Sequence, residues 1–194
     1  MHLFPSQLDQ AAFSVVYVGW IVSLIMERVI IFQNRQSGTR IRRDRGSLLL
    51  IYASIFISIT VSFYFAQNTV WILPEWVFYL GIVMMLLGIF VREWAVVTLR
   101  KFFSYSVRVR VDHTVIQNGP YKVVRHPAYT GTMLTIIGLG LALRSGAGVL
   151  VLVVLFTLAF AYRIKVEEKL LIGELGDDYL QYMNRTKRLI PFIL

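Results

Sequence analysis

Arg125-His126-Pro127-Ala128-Tyr129-Thr130-Gly131 sets a guanidinium, an imidazole and a phenol side by side at the mouth of an apolar run that opens at Ala128. The loop before it carries Asp112-His113-Thr114 and Gly119-Pro120-Tyr121, so a ligand with charged and planar parts would find donors, acceptors and ring faces there. A second polar group, Arg163-Ile164-Lys165-Val166-Glu167-Glu168-Lys169, leaves the end of the next apolar run. Arg163 and Glu167 stand one helical turn apart on one face, with Glu174 two turns further on. Plainer accounts exist. Pro127 suits a first helical turn, Arg125 a membrane interface and Tyr129 an aromatic belt. Lys165, Glu168 and Lys169 suit a solvated, salt-bridged helix end. Arg163 lies nearest the bilayer, where a fixed cation costs most and so more often has a purpose.

The elements that hold these residues belong to a chain of 194 residues that is 57% hydrophobic, with a mean hydropathy of +0.64, beyond what soluble domains carry. It reads as an all-α integral membrane protein. The apolar runs are Ala11 to Phe32, Leu48 to Ala66, Val70 to Val97, Ala128 to Leu143 and Ala147 to Tyr162. They are too long for strands and lack period-two alternation, which predicts five transmembrane helices. A helix the length of the last two spans about 24 Å against a hydrocarbon core of about 30 Å, so those two are marginal alone. Only Arg144-Ser145-Gly146 separates them, which predicts a tight hairpin closed by Gly131, Gly138 and Gly140, with Arg144 snorkelling to the far interface.

Twenty Lys+Arg against eleven Asp+Glu leave a formal charge of +9. The basic residues sit in the loops Gln33 to Ser47 and Thr98 to Pro127, where topology and anionic headgroups explain them better than nucleic acid does. The positive-inside rule then places the N-terminus outside and both basic loops plus the C-terminus in the cytoplasm. The fifth helix should continue amphipathically to about Leu175. Gly176 should stop it, with Asp177 or Asp178 capping a short helix beyond. The apolar end, through Pro191 and Leu194, is expected to fold back on the protein or the membrane. One membrane domain, 1–194, follows: 1–98 as three N-terminal helices and 99–194 as the chemical core with its hairpin and amphipathic helices.

Glu27 and Arg28 in the first helix, and Arg92 and Glu93 in the third, read as snorkelling residues or helix–helix ion pairs. The absence of cysteine excludes disulfides, thiolate catalysis and cysteine lipidation. The N-terminus lacks the basic n-region and small-residue cleavage site of a secretory signal, so the first run reads as a retained helix. His113 and His126 share a loop with no third His or Cys to complete a usual metal set, and no metal is expected. Neither a G-x-S-x-G elbow nor a G-x-G-x-x-G after a strand is present, so a nucleotide-like cofactor would bind without a Rossmann domain.

In combination, the motifs resemble the isoprenylcysteine carboxyl methyltransferase family, within a wider group of membrane methyltransferases that includes phospholipid N-methyltransferases. The likeness covers roughly Val111 to Phe192. It runs through Asp112-His113-Thr114-Val115-Ile116, Gly119-Pro120-Tyr121, the Arg125 to Gly131 stretch, Arg163 with Glu167-Glu168, Gly176-Asp177-Asp178-Tyr179 and Pro191-Phe192. The resemblance implies a methyltransferase that uses S-adenosyl-L-methionine, releases S-adenosyl-L-homocysteine and holds the cofactor on the cytoplasmic side, between the loop before the fourth helix and the extension of the fifth. It implies cofactor contacts from His113, Thr114, Val115, Ile116, Tyr121, His126, Pro127, Ala128 and Tyr129. Glu167 is implied at the cofactor's amino group, and Arg163 is implied to position the carboxylate of a prenylated cysteine. Eukaryotic members carry more spanning helices, so the chain is similar to a compact prokaryotic-type member, archaeal ones included, in the cell membrane. Other acceptors, such as a phospholipid amine or a lipid thiol, stay open. So does a sterol-type reductase using NADPH, which shares an arginine-histidine-proline-tyrosine-glycine pattern, and so does a non-catalytic scaffold.

Overall fold

The computed structural model describes residues 4–33, 39–41, 46–68, 71–103, 108–110 and 114–189. Among the described residues six α-helices follow one another: α1 (Gln7–Gln33), α2 (Ser47–Gln67), α3 (Trp76–Leu99), α4 (Pro127–Ala142), α5 (Gly146–Leu175) and α6 (Asp177–Arg185). The segments Gln7–Val29, Trp76–Leu99 and Gly146–Leu175 are long and apolar enough to cross a membrane, and Leu49–Phe65 and Pro127–Ala142 are shorter apolar helices. Leu86, Phe90 and Leu158 lie exposed on the outer surface, as lipid-facing side chains do. The molecule is therefore an integral, multi-pass membrane protein. The expectation of a helical fold holds, with one addition: β1 (Thr39–Ile41) pairs antiparallel with β2 (Arg108–Arg110), tying the two basic loops together.

Local chemistry sets the helix ends. Ser6 Oγ accepts from the Asp9 amide at 3.1 Å at the start of α1, and Ser145 Oγ accepts from the Gly148 amide at 3.1 Å at the start of α5. Pro127 opens α4, where its missing N–H is no loss. Gly176 ends α5 at φ 57, as expected, but neither Asp177 nor Asp178 caps α6; both sit in its first turn, where carboxylates favour the helix dipole. Rather than at Val70, α3 begins at Trp76. The residues ahead of it are drawn into a loop-to-loop clasp that Pro74 helps keep out of the helix. In that clasp the Leu73 amide donates to Arg144 O at 2.8 Å, and the Gly146 amide donates to Trp71 O at 3.0 Å. Arg144 does not snorkel freely: its Nε donates to Leu73 O at 2.9 Å, and it stands 3.8 Å from Glu75.

The glycines of α4 do not chiefly close the α4–α5 hairpin. Gly131 and Gly138 face α3, where a Cβ on Gly131 would lie 2.6 Å from both Arg92 N and Gly88 O. A Cβ on Gly88 would lie 2.4 Å from Thr135 N, and one on Gly81 the same distance from Ala142 N. The backbones of α3 and α4 are thus in direct contact, the close approach that small residues permit between apolar helices. Gly140 alone of the three faces α5, where an added Cβ would lie 3.0 Å from Val149 Cγ2. The reason is that a three-residue connection fixes where the helix ends meet but not which stripe of α4 has the partner with matching small residues.

Buried ions complete the frame. Arg92 donates from Nε to Glu27 Oε1 at 2.8 Å and from Nη2 to Oε2 at 2.7 Å, while its Nη1 donates to Thr132 Oγ1 at 2.6 Å. Of the expected roles for Glu27 and Arg92, the helix–helix ion pair is the one adopted, and it joins α1, α3 and α4. Arg28 packs over the Tyr52 ring, 5.7 Å from its centre, and joins α1 to α2.

Gly88→Ala should push α3 from α4 at a cost of about 1–3 kcal/mol and lower the unfolding temperature in detergent. Gly19→Ala, with nothing within 4 Å, should not lower it. Arg92→Ala should cost about 3–5 kcal/mol by taking the guanidinium from a buried carboxylate, and Glu27→Leu in the same chain should recover much of that loss in a thermal double-mutant cycle.

Candidate functional site

Tyr129 stands at the junction of the two polar groups. From the first turn of α4 its hydroxyl donates to Glu167 Oε2 at 2.6 Å and accepts from Arg163 Nε at 3.0 Å. Arg163 and Glu167 do share a face of α5, and the phenol is the part that couples them. Arg163 is only 2% exposed, and a guanidinium at that depth needs such partners. The Tyr129 ring is held between others, with His126 at 5.5 Å and nearly parallel, and Phe160 at 5.1 Å.

These groups line a cavity of about 310 Å³. At its polar end stand Tyr121, His126, Tyr129, Arg163, Glu167 and Tyr179; Val115, Ile116 and Ala128 add apolar surface. The wall continues along Trp20, Ile21, Leu24 and Ile25 of α1 to Ile51 and Ile55 of α2, and it also contains Arg92 and Thr132. One cavity therefore joins a charged, aromatic chamber to an apolar passage between two helices.

Of the sequence-predicted site residues, Val115, Ile116, Tyr121, His126, Ala128, Tyr129, Arg163 and Glu167 come together in this wall. Two others do not reach it. Pro127 is buried behind the wall as the first residue of α4, where its fixed φ starts the helix. Thr114 is exposed and lines a separate polar cleft of about 290 Å³ with Gln117, Asp178, Gln181 and Arg185. That cleft shares Val115, Leu175 and Tyr182 with the main cavity. His113 lies outside the described residues.

Glu168 differs most from expectation. Instead of ending a solvated helix it is 4% exposed and gathers cations: Arg125 Nε donates to Oε1 at 3.0 Å, Arg188 Nε donates to Oε2 at 3.2 Å, and His126 Nε2 lies 3.3 Å from Oε1. Successive helix residues point about 100° apart, so Glu167 enters the cavity while Glu168 grips the segment behind it. Nothing in the pair Glu167-Glu168 tells which faces which way until the neighbours are placed. Lys165 and Lys169 are exposed, as expected.

The C-terminal segment is the other part not legible in advance. The Arg125 amide donates to Lys187 O at 2.7 Å, the His126 amide to Arg188 O at 3.0 Å, and Thr130 Oγ1 to Leu189 O at 2.7 Å. Arg125 Nη1 donates to Met183 O at 2.9 Å and also to Thr186 O. The chain thus folds back through Leu189 as anticipated; 190–194 lie outside the described residues. From α6, Tyr182 donates to Tyr121 O at 2.7 Å and braces the cavity wall. Burial pushes the Tyr121 and Tyr179 phenols well above their ordinary range, with the Glu167 charge adding to it. Burial also pushes Tyr182 up to about 12, Arg125 partly opposing. These phenols stay protonated at neutral pH and act as hydrogen-bonding groups, not as bases.

Residues 80–173 match the family model described as the isoprenylcysteine carboxyl methyltransferase (ICMT) family. The protein-S-isoprenylcysteine O-methyltransferase of Saccharomyces cerevisiae is 34% identical over 116 residues, 59% of this chain and 48% of the yeast protein. Protein-S-isoprenylcysteine O-methyltransferase B of Arabidopsis thaliana is 28% identical over 120 residues, 61% of each chain. The chain thus spans about three fifths or less of the relatives it matches. A solved structure of the eukaryotic intramembrane Ras methyltransferase ICMT shares the fold, with a TM-score of 0.65 and 21% identity over 92% of this chain and 67% of that one. Through this matched core, which contains the Tyr129–Arg163–Glu167 site, the chain is similar to the isoprenylcysteine carboxyl methyltransferase family.

Proposed function

We propose that the protein is a membrane carboxyl O-methyltransferase that uses S-adenosyl-L-methionine and methylates the C-terminal carboxylate of a prenylated cysteine, in a protein or a small lipid-like thioether. The observation that carries this is the single cavity in which Arg163, Tyr129 and Glu167 meet an apolar passage between α1 and α2. A lipid-bearing acid needs a cation at one end and a dry passage at the other. Both are supplied here.

The residues present fit such a cofactor. Glu167 offers a carboxylate, half-buried and aimed by Tyr129, for an amino group, and His126 and Tyr121 offer ring surface for a nucleoside. Val115, Ile116 and Ala128 would complete that contact, with His113, Thr114 and Pro127 beside it. When bound, S-adenosyl-L-methionine supplies an electrophilic methyl on a sulfonium sulfur and leaves as the neutral thioether S-adenosyl-L-homocysteine.

The chain's own residues do the rest. A carboxylate has a reference pKa near 4, is already ionised at neutral pH and needs no general base. Arg163 grips and orients the acceptor oxygens, and Tyr129 keeps the guanidinium in place. These residues have no proton to move; they would hold the acceptor oxygen in line with the methyl group that the cofactor would supply. Holding both partners in line in a water-poor site supplies about 7–11 kcal/mol of the barrier reduction.

The same reading makes α1 to α5 five spans, with the N-terminus outside and the site at the cytoplasmic face of the cell membrane. Residues 1–98 then form the lipid-side helices and 99–194 the methyltransferase core. The basic loops joined by the β1–β2 pair support that orientation.

Protein in detergent should bind S-adenosyl-L-homocysteine by calorimetry, and Glu167→Ala should weaken binding about tenfold to a hundredfold, the worth of a charge-assisted hydrogen bond. Arg163→Lys should lower methyl transfer to S-farnesyl cysteine more than it weakens cofactor binding. Unchanged cofactor affinity in Glu167→Ala overturns the site, and binding of NADPH instead overturns the reaction class.

A further inference from the structure

We propose that Glu168 is a positioning residue that accepts from His126 Nε2 and so, whenever the ring is neutral, leaves Nδ1 as a hydrogen-bond acceptor in the cavity wall for the nucleoside part of the methyl donor. This rests on the cofactor reading above.

Glu168 carries its charge between two guanidinium groups, Arg125 at 3.0 Å and Arg188 at 3.1 Å. Such a carboxylate is ionised and has only lone pairs to offer. Its contact with His126 Nε2, at 3.3 Å, is therefore a hydrogen bond only with the imidazole as donor. In a neutral ring, the proton on one nitrogen makes the other an acceptor.

Geometry directs that acceptor. His126 lines the cavity, whereas Glu168 does not; the ring spans the wall from one to the other. Its backbone is fixed by the amide bond to Arg188 O at 3.0 Å, and its face lies against Tyr129 with an interplanar angle of 20°. Among the described residues, Nδ1 has no protein partner. The donor it suits is an N–H or O–H of a nucleoside, either the exocyclic amine or a ribose hydroxyl. Neutralising Arg125 and Arg188 does not by itself require a contact to His126, which is what separates this role from a purely structural one.

With only three histidines, the chain suits ¹⁵N-histidine labelling. The ligand-free spectrum in detergent should show His126 protonated at Nε2 and bare at Nδ1, and S-adenosyl-L-homocysteine should move Nδ1 toward the hydrogen-bonded range. His126→Gln puts an amide N–H near the place of Nε2, keeping a donor for Glu168 while leaving no acceptor at the place of Nδ1. Its melting temperature should hold while affinity for S-adenosyl-L-homocysteine falls about tenfold. Glu168→Gln should yield a mixture of tautomers. A wild-type ring protonated at Nδ1 overturns the role of Glu168, and a His126→Gln protein that binds like wild type overturns the role of Nδ1. Wild-type protein that does not bind S-adenosyl-L-homocysteine overturns the cofactor reading itself, while the ligand-free spectrum still judges the Glu168 assignment separately.

Discussion

A carboxylate as deeply shielded as that of Glu168 persists only if its charge is compensated on the spot, and the means of compensation organise the polar half of the molecule. Arg125 comes from the loop before α4, Arg188 from beyond α6, and Glu168 itself from α5. Meeting the charge brings three distant stretches to one point. Once there, the backbone of 123–126 pairs with that of 187–188, and α6 is placed so that Tyr182 can brace Tyr121. The cavity wall follows from this convergence. Glu167, one residue away, is turned into the cavity because Glu168 is turned out of it.

The apolar half obeys a different constraint. Between helices in lipid there is little hydrophobic gain to be had, so contact depends on close packing and on the few polar groups within reach. Glycines on both sides bring α3 and α4 to backbone distance, and the Glu27–Arg92 pair fastens α1 to them. Thr132, one turn after Ala128, receives the third hydrogen bond from Arg92, so the helix that carries Tyr129 is held by α3 as well as by α5. A buried guanidinium such as that of Arg163 keeps its partners only if the helices around it hold their places.

Tyr129 links the two halves. Its hydroxyl both donates and accepts, and it transmits the placement of Glu167 to Arg163. Glu167 and Arg163 are thereby positioned by one side chain. An aromatic-belt role, the plain account of a tyrosine at a helix mouth, would not call for either bond.

The sequence by itself determined the helical membrane character, the extent of α5 through Leu175, the stop at Gly176 and the shared face of Arg163 and Glu167, while their meeting with Tyr121, His126 and Tyr129 was implied by the family resemblance. Those features are local or periodic: apolar runs of spanning length, a glycine at a left-handed position, residues one turn apart on one face. Only the tertiary structure decided that Glu168 is buried and not solvated, that Gly131 and Gly138 serve α3, that Thr114 opens onto a separate cleft, and that the segment ending at Leu189 closes over the Arg125 loop. Each of these depends on which neighbour occupies the space beside a residue. Sequence spacing gives the direction of a side chain along its own helix, while its burial, partner and charge compensation are settled by what packs against it.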